Sequence, residues 1–243
     1  MSLNIGIIGA GLIGSVLARE WVKQGHHVEV ANSRGPSSSV LQGVAASTGA
    51  TAVEVLAAAK DKDVVVVTIP FGKVPDLPAS LFEHTPANAV VIDTNNYYPF
   101  RDGPLPEIND GGQLDSDWVS QHLGGRPVVK AFNNIMYFSL SDNGKPAGTP
   151  GRIALPVAGD NEQHRKIVLD LVDKLGFEPV DVGPIANSWR HEPGTPAYCH
   201  DLDKDALEAA LAQADRSKRN EYRADADAKL ADYLAALAAK AAN

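Results

Sequence analysis

Gly9-Ala10-Gly11-Leu12-Ile13-Gly14 follows the apolar run Ile5-Gly6-Ile7-Ile8 and leads into a helical pattern from Ser15 to Gln24. A strand that breaks into Gly-x-Gly-x-x-Gly and restarts as a helix is suited to holding a pyrophosphate. Gly9 permits the tight turn, Gly11 lets phosphates approach the backbone, and Gly14 lets the helix pack close on the strand. The helix N-terminus adds unpaired N–H groups and a partial positive charge.

A second group of residues decides which nucleotide. About 20 positions after such glycines, a carboxylate accepts the ribose hydroxyls of NAD, whereas an arginine accommodates the 2′-phosphate of NADP. Here the strand Val28-Glu29-Val30-Ala31 is followed by Asn32-Ser33-Arg34-Gly35. Glu29 lies inside the strand, too early to face a ribose. A carboxylate at the strand end would repel a phosphate dianion, while Arg34 pairs with it through charge-assisted bonds worth about 1.5–3 kcal/mol. Ser33, with Ser37 or Ser38 at the next helix start, offers further donors. The expected cofactor is NADP(H).

The remaining chemistry must lie beyond the carboxyl ends of the strands. Thr68-Ile69-Pro70-Phe71, Asp93-Thr94-Asn95-Asn96 and Asn133-Asn134-Ile135-Met136 reach that edge with the glycine turn. None offers a nucleophile beside a base, so no catalytic residue is assigned. Hydride transfer needs none; it needs two reactants held face to face, with donors where charge develops. Lys130 with Asn134 resembles the lysine-asparagine pair of hydroxyacid dehydrogenases, but that pair belongs to a helix and Lys130 falls in a predicted strand. His191, Cys199 and His200 match no usual zinc spacing, and no metal is expected.

The elements that position these residues alternate between strand-like and helix-like segments, which predicts an α/β fold with a mostly parallel sheet. Strands are expected at His27–Ala31, Ala50–Val53, Asp63–Ile69, Asn88–Thr94, Pro127–Phe132, Arg152–Ala158 and Phe177–Val182. Helices are expected at Val40–Ser47, Val55–Lys60, Pro78–Phe82, Ser116–Leu123 and Asn161–Leu175. Tyr97 to Gly112, rich in Pro, Gly and Asp, reads as a long surface loop. From Leu202 onward, Leu207, Leu211, Leu230, Leu234 and Leu237 predict one or two helices covering the core or a second subunit. Among them Arg216, Lys218, Arg219 and Arg223 read as a solvated face. The architecture is therefore a doubly wound (Rossmann) sheet with a C-terminal α/β extension and a helical tail. Residues 1–125 form the NADP-binding domain, and 126–243 complete the acceptor site.

Of 243 residues, 44% are hydrophobic and 21% charged, as in an ordinary globular protein. The net charge of -8 argues against nucleic acid or an anionic membrane as partner. No stretch approaches the roughly 20 apolar residues that span a bilayer, and the one cysteine suits a reducing compartment. A cytoplasmic protein is expected, with a homodimer through the C-terminal helices.

The chain resembles the NADPH-dependent coenzyme F420 reductases and the cytosolic oxidoreductase domain of six-transmembrane ferric metalloreductases. The resemblance runs from the glycine turn to about Pro196. It rests on Asn32-Ser33-Arg34, Asp93-Thr94-Asn95-Asn96, Val129-Lys130-Ala131-Phe132-Asn133, Val157-Ala158-Gly159-Asp160, and Asp181-Val182-Gly183-Pro184 with Asn187-Ser188. It implies NADP(H) binding and hydride exchange with a stacked deazaflavin (F420) or flavin. By position, Gly9, Ala10, Gly11, Leu12 and Ile13 would hold the pyrophosphate, and Ser33 with Arg34 the 2′-phosphate. Ile69, Pro70 and Phe71 would line the nicotinamide, and Asn133, Asn134 and Ile135 would form the floor near the acceptor. Gly14, Asn32, Asn95 and Ala131, from the shared motifs, complete the cofactor-binding set.

Departures fall in the acceptor pocket: Asn133-Asn134-Ile135-Met136 replaces a His-Thr-Ile-Pro type segment, bulky Tyr137 replaces a small residue, and Trp189 to Tyr198 differs. Two other readings stay open. A small carbonyl or imine substrate would need a proton donor, for which Tyr97, Tyr98, Tyr137 and Tyr198 are the candidates. An NADP(H)-binding sensor would need none.

Overall fold

Val64-Val65-Val66-Val67 is β-branched at every position, and all four side chains are buried. Such a strand needs cover on both faces, which a parallel sheet with crossover helices supplies. The computed structural model describes residues 2–110 and 112–241, with side chains through residue 236. It places this strand, β4 (Val64–Val67), inside an eight-stranded sheet. The others are β1 (Asn4–Ile8), β2 (His27–Ala31), β3 (Thr51–Ala52), β5 (Val90–Asp93), β6 (Val128–Lys130), β7 (Ala154–Ala158) and β8 (Glu178–Gly183).

The order is β3-β2-β1-β4-β5-β6-β7-β8. Every neighbouring pair is parallel except β6 and β7. The first six strands form a doubly wound sheet whose direction of winding reverses between β1 and β4, so the crevice above their carboxyl ends is the natural ligand position. The sheet is α/β and mostly parallel, as the sequence predicts. β5 pairs with β6 through Val91 and Val128, so one sheet runs through the division expected at residue 125.

Helices cover both faces: α1 (Leu12–Lys23), α2 (Ser39–Thr48), α3 (Pro99–Asp102), α4 (Pro106–Asn109), α5 (Asp115–His122), α6 (Tyr137–Asp142), α7 (Glu162–Lys174), α8 (Lys204–Gln213) and α9 (Arg219–Ala241). Because successive side chains of a strand point to opposite faces, Val64 and Val66 join one core with Leu17, Trp21 and Phe132. Val65 and Val67 join the other, with Phe71, Tyr97 and Trp118. Among the described residues no helix is long and apolar enough to cross a membrane.

Several local expectations fail for identifiable reasons. Val55–Lys60 forms turns, not a helix. Gly6 of β1 has no Cβ, and a Cβ there would lie only 1.5 Å from the Ala58 carbonyl oxygen. The segment is thus drawn onto the sheet by its backbone. Pro78–Phe82 is likewise a series of turns, its bonds Leu81 N–H to Pro78 O and Glu83 N–H to Ser80 O spanning three residues. The expected loop Tyr97–Gly112 is wound into α3 and α4 around buried Tyr97. The Tyr97 hydroxyl donates to Gly103 O and accepts from Leu105 N and Asn109 Nδ2. The short helices at Phe71–Asp76, Tyr137–Asp142 and Ile185–His191 were not expected.

The tail forms α8 and α9, with Leu207 and Leu211 buried against Ala154 and Val180. The Leu237 side chain lies outside the described residues. Arg216 and Lys218 are exposed, but Arg219 and Arg223 are not the solvated face expected of them. Arg219 Nε lies 2.6 Å from Glu192 Oε2 and its Nη2 3.1 Å from Asp115 Oδ1. Arg223 Nη2 lies 2.8 Å from the same Asp115 oxygen and 3.1 Å from Glu192 Oε2. Two guanidinium groups and two carboxylates thus form a buried, charge-neutral clasp between α9, α5 and the segment after β8. Its charges survive out of water because each has opposite partners at hydrogen-bond distance.

Arg219→Ala leaves two buried carboxylates sharing one guanidinium. Breaking a buried pair on one side costs about 3–5 kcal/mol. The variant's urea midpoint is expected to fall accordingly, with little change in the slope of the transition.

Candidate functional site

The glycine turn is built as its spacing requires. Gly9 sits at φ +117°, where a Cβ would lie 2.1 Å from Thr68 O, and its N–H donates to Ala31 O. A Cβ on Gly14 would lie 2.0 Å from Gly9 O, so the helix seats directly on the turn. Gly11 caps α1 and faces open space, with nothing within 4 Å of a Cβ placed there. The turn is closed behind and open in front, which is the shape a phosphate needs. Ala10 and Leu12 continue the same open surface.

After β2, Asn32 Oδ1 accepts from Arg34 N at 2.9 Å and holds the chain in a turn that leaves Ser33 and Arg34 exposed. Among the described residues no carboxylate pairs with the Arg34 guanidinium. Glu29 is occupied at the other end of the sheet, 2.8 Å from Lys62 Nζ. Ser38 is spent as the N-cap of α2, accepting from Leu41 N and donating to Gly35 O. Ser33 and Ser37 remain exposed.

From Leu12 and Ile13 a cavity of about 300 Å³ extends along the carboxyl edge of the sheet. Ile69 and Pro70 form one wall, Asn95 and Asn96 the base, and Asn133, Ile135, Met136 and Tyr137 the opposite wall. Tyr98, Arg101, Tyr198 and Cys199 close the far end. Three expected residues lie elsewhere. Phe71 does not line this space; its ring is fully buried, 4.5 Å from the Trp118 ring. Ala131 is fully buried in the core beneath. Asn134 is buried too, its Nδ2 donating to Ala197 O and its carbonyl accepting from Cys199 N, so it anchors the segment that carries Tyr198.

The base of the cavity rests on a buried polar node. Lys130 Nζ lies 3.0 Å from Asp93 Oδ2 and donates to Asn95 O. Ser116 Oγ donates to the same carboxylate oxygen, and the other accepts from Asn95 N. Asn95 Oδ1 in turn accepts from Ile69 N at 3.1 Å. Lys130 therefore positions the base and does not reach the cavity, unlike a catalytic lysine. Asn133 is fixed from the side: its Nδ2 donates to Asn96 Oδ1 and to His191 O, and its Oδ1 lies 2.8 Å from His191 Nδ1. Since Asn133 Oδ1 can only accept, His191 carries its proton on Nδ1.

Of the candidate tyrosines, Tyr97 faces the core, while Tyr98, Tyr137 and Tyr198 line the cavity. The Tyr98 and Tyr198 hydroxyl oxygens are 2.6 Å apart, and Asn96 Nδ2 donates to Tyr198 at 3.2 Å. Burial pushes Tyr98 up to about 12, Tyr198 well above the ordinary tyrosine range, and the Cys199 thiol up to about 11. All three are protonated at neutral pH, so Cys199 is no thiolate nucleophile. The tyrosine pairing escaped the sequence reading, since partners a hundred positions apart leave no local signal, and so did Arg101.

Residues 4–97, which hold the glycine turn, Arg34, Ile69 and Asn95, match the model of the family "NADP oxidoreductase coenzyme F420-dependent". The chain belongs to this family. Over 102 residues it is 38% identical to protein YjhV of Escherichia coli (strain K12), a match covering 42% of this chain and 65% of that one. The chain thus spans just under two thirds of that curated relative. The crystal structure of the hypothetical protein SMa0349 from Sinorhizobium meliloti is 31% identical, with a TM-score of 0.70 over 84% of this chain and 97% of that one. A protein of Arthrobacter sp. FB24 described as a candidate F420-dependent NADP-reductase shares the fold at 19% identity. Its TM-score is 0.61, over 77% of this chain and 87% of that one. An NADP-dependent oxidoreductase is the activity class that the family match supports.

His191 offers a pH test. Its burial, with the Lys130 charge nearby, lowers its pKa from 6.5 to about 3. The unfolded chain therefore binds this proton more readily below about pH 6.5, and stability falls with pH until about pH 3. His191→Gln should remove up to about 1.4 kcal/mol per pH unit of that acid loss, read from urea unfolding at pH 7, 6 and 5.

Proposed function

We propose that this protein exchanges hydride between NADPH and a planar deazaflavin- or flavin-like acceptor seated in the cavity beside the glycine turn. The observation that carries the reading is continuity: the open space before Gly11 runs through Leu12 and Ile13 into a chamber walled by amide and apolar side chains. The residues present fit an adenine dinucleotide phosphate. Gly9 to Ile13 would hold the pyrophosphate at the α1 N-terminus, and Arg34, with Asn32 and Ser33, the 2′-phosphate. Ile69 and Pro70 would support the nicotinamide, which supplies the hydride when bound. Asn95 keeps that wall in place through Ile69 N, and Asn133 and Ile135 form the floor for the acceptor. Residues from both 1–125 and 126–243 line the chamber, in keeping with the second region completing the acceptor site.

The same reading has the protein acting in the cytoplasm as a homodimer through its C-terminal helices, where Tyr233 and Leu234 of α9 are exposed. A sensor role without turnover is the reading to be discarded if NADPH, mixed with protein and F420, FMN or FAD, loses its absorbance.

Removing the guanidinium tests the cofactor assignment. Losing a charge-assisted contact of about 1.5–3 kcal/mol corresponds to roughly ten- to 150-fold in affinity. Calorimetry should show Arg34→Ala binding NADPH weaker by that factor, with NADH binding nearly unchanged. Equal weakening of both would overturn the assignment.

A further inference from the structure

Two hydroxyls that touch only across one short contact hold two protons, and only one of them can lie between the oxygens. Tyr98 and Tyr198 are such a pair, 2.6 Å apart at the end of the chamber. Asn96 Nδ2, itself held by Asn133 O at 2.8 Å, donates to the Tyr198 oxygen and occupies one of its lone pairs. One O–H is left over, and the Cys199 sulfur beside Tyr198 is only a weak acceptor. Three separate segments converge to build this arrangement: Asn96 and Tyr98 after β5, Asn133 after β6, and Tyr198 beyond β8. Asn134 secures the last of them through Ala197 and Cys199.

We propose that the Tyr98–Tyr198 pair is a proton source and that the chamber accepts a small uncharged ketone or aldehyde, reduced to its alcohol by NADPH. The inference rests on the NADPH reading above and adds to it a second class of acceptor. The hydride electron pair forms the new C–H bond at the carbonyl carbon. The C=O π pair moves onto oxygen and takes the proton of one tyrosyl O–H. The resulting phenolate is held by its partner hydroxyl and regains a proton through it from water.

Charge supports this choice. Reduction of a flavin-like ring leaves negative charge spread over several heteroatoms, which needs no dedicated acid. A carbonyl leaves it on one oxygen, where a positioned donor has most effect. A protonated imine would call for a carboxylate in the wall. Among the described residues the lining holds none, and its one charged side chain is Arg101, paired with Asp102 at 2.8 Å. Both tyrosines are kept neutral by burial and so are donors, not bases, at working pH.

The test uses the full chain, its Tyr98→Phe and Tyr198→Phe variants, and cyclohexanone as probe. Calorimetry with NADPH comes first; no binding to the wild type sinks the cofactor reading and this inference together. With binding established, the wild type should oxidise NADPH with cyclohexanone, and each variant should do so at least a hundredfold more slowly. Each variant should still bind NADPH within threefold of the wild type, which shows that it is folded. A readout without turnover accompanies this: cyclohexanone should bind the NADP⁺-saturated variants about tenfold more weakly than the wild type. Bound NADPH with no turnover of cyclohexanone, or variants that keep both rate and affinity, would overturn the proton role while leaving the cofactor reading intact.

Discussion

Lys130 is fully buried, and a lysine can stay charged there only with an anion in contact. Asp93 supplies it at the carboxyl end of β5, and the geometry of the whole site follows from that pair. The same carboxylate takes the Asn95 N–H and the Ser116 hydroxyl, so the chain leaving β5 has one available path. That path presents Asn95 Oδ1 to Ile69 N on one side and carries Asn96 toward Asn133 on the other. The walls of the chamber are thus set by a charge pair that never meets a ligand. Its neighbour His191, buried and neutral, performs the same service for Asn133.

A second set of buried charges does for the C-terminal region what Asp93 does for the sheet. Arg219 and Arg223 bring α9 back to Asp115 and Glu192, and Arg223 also lies over the Tyr97 ring. Asp115 begins α5, accepts weakly from Tyr97 N, and receives the tail as well, so the winding of 97–110 and the docking of α9 are mechanically linked. Glu192 performs the matching role for the segment that ends at Tyr198. The far end of the chamber is therefore made of pieces from the middle and the end of the chain, held in register by buried electrostatics. Such clasps contribute less to net stability than to the choice of one arrangement, because removing either side is far costlier than the intact pair is favourable.

The glycine turn and the exposed arginine after β2 were legible in the sequence because their parts are local. Gly9, Gly11 and Gly14 act within one turn, and Arg34 stands one loop beyond β2, so residue type and spacing carry the geometry. The strands were legible for the same reason, except at their ends. Val55–Lys60 was not, since its shape depends on the missing Cβ of Gly6, about fifty residues away. Arg219 and Arg223 read as solvent-facing because a mixed-charge helix looks alike whether its partners are water or buried carboxylates. Phe71 shows the limit from the other side: it follows Ile69 and Pro70, which line the chamber, yet its ring turns inward onto Trp118.

By itself, then, the sequence determined a doubly wound sheet, a tight glycine turn open in front at its first crossover, and an exposed cation after its second strand. These depend on backbone conformations that a few neighbouring residues enforce. Tertiary structure alone decided which tyrosines meet, which arginines are buried, and how the far end of the chamber closes. Those features are contacts between segments about a hundred residues apart, and their energies exist only once the chain has brought the partners out of water and within hydrogen-bond distance.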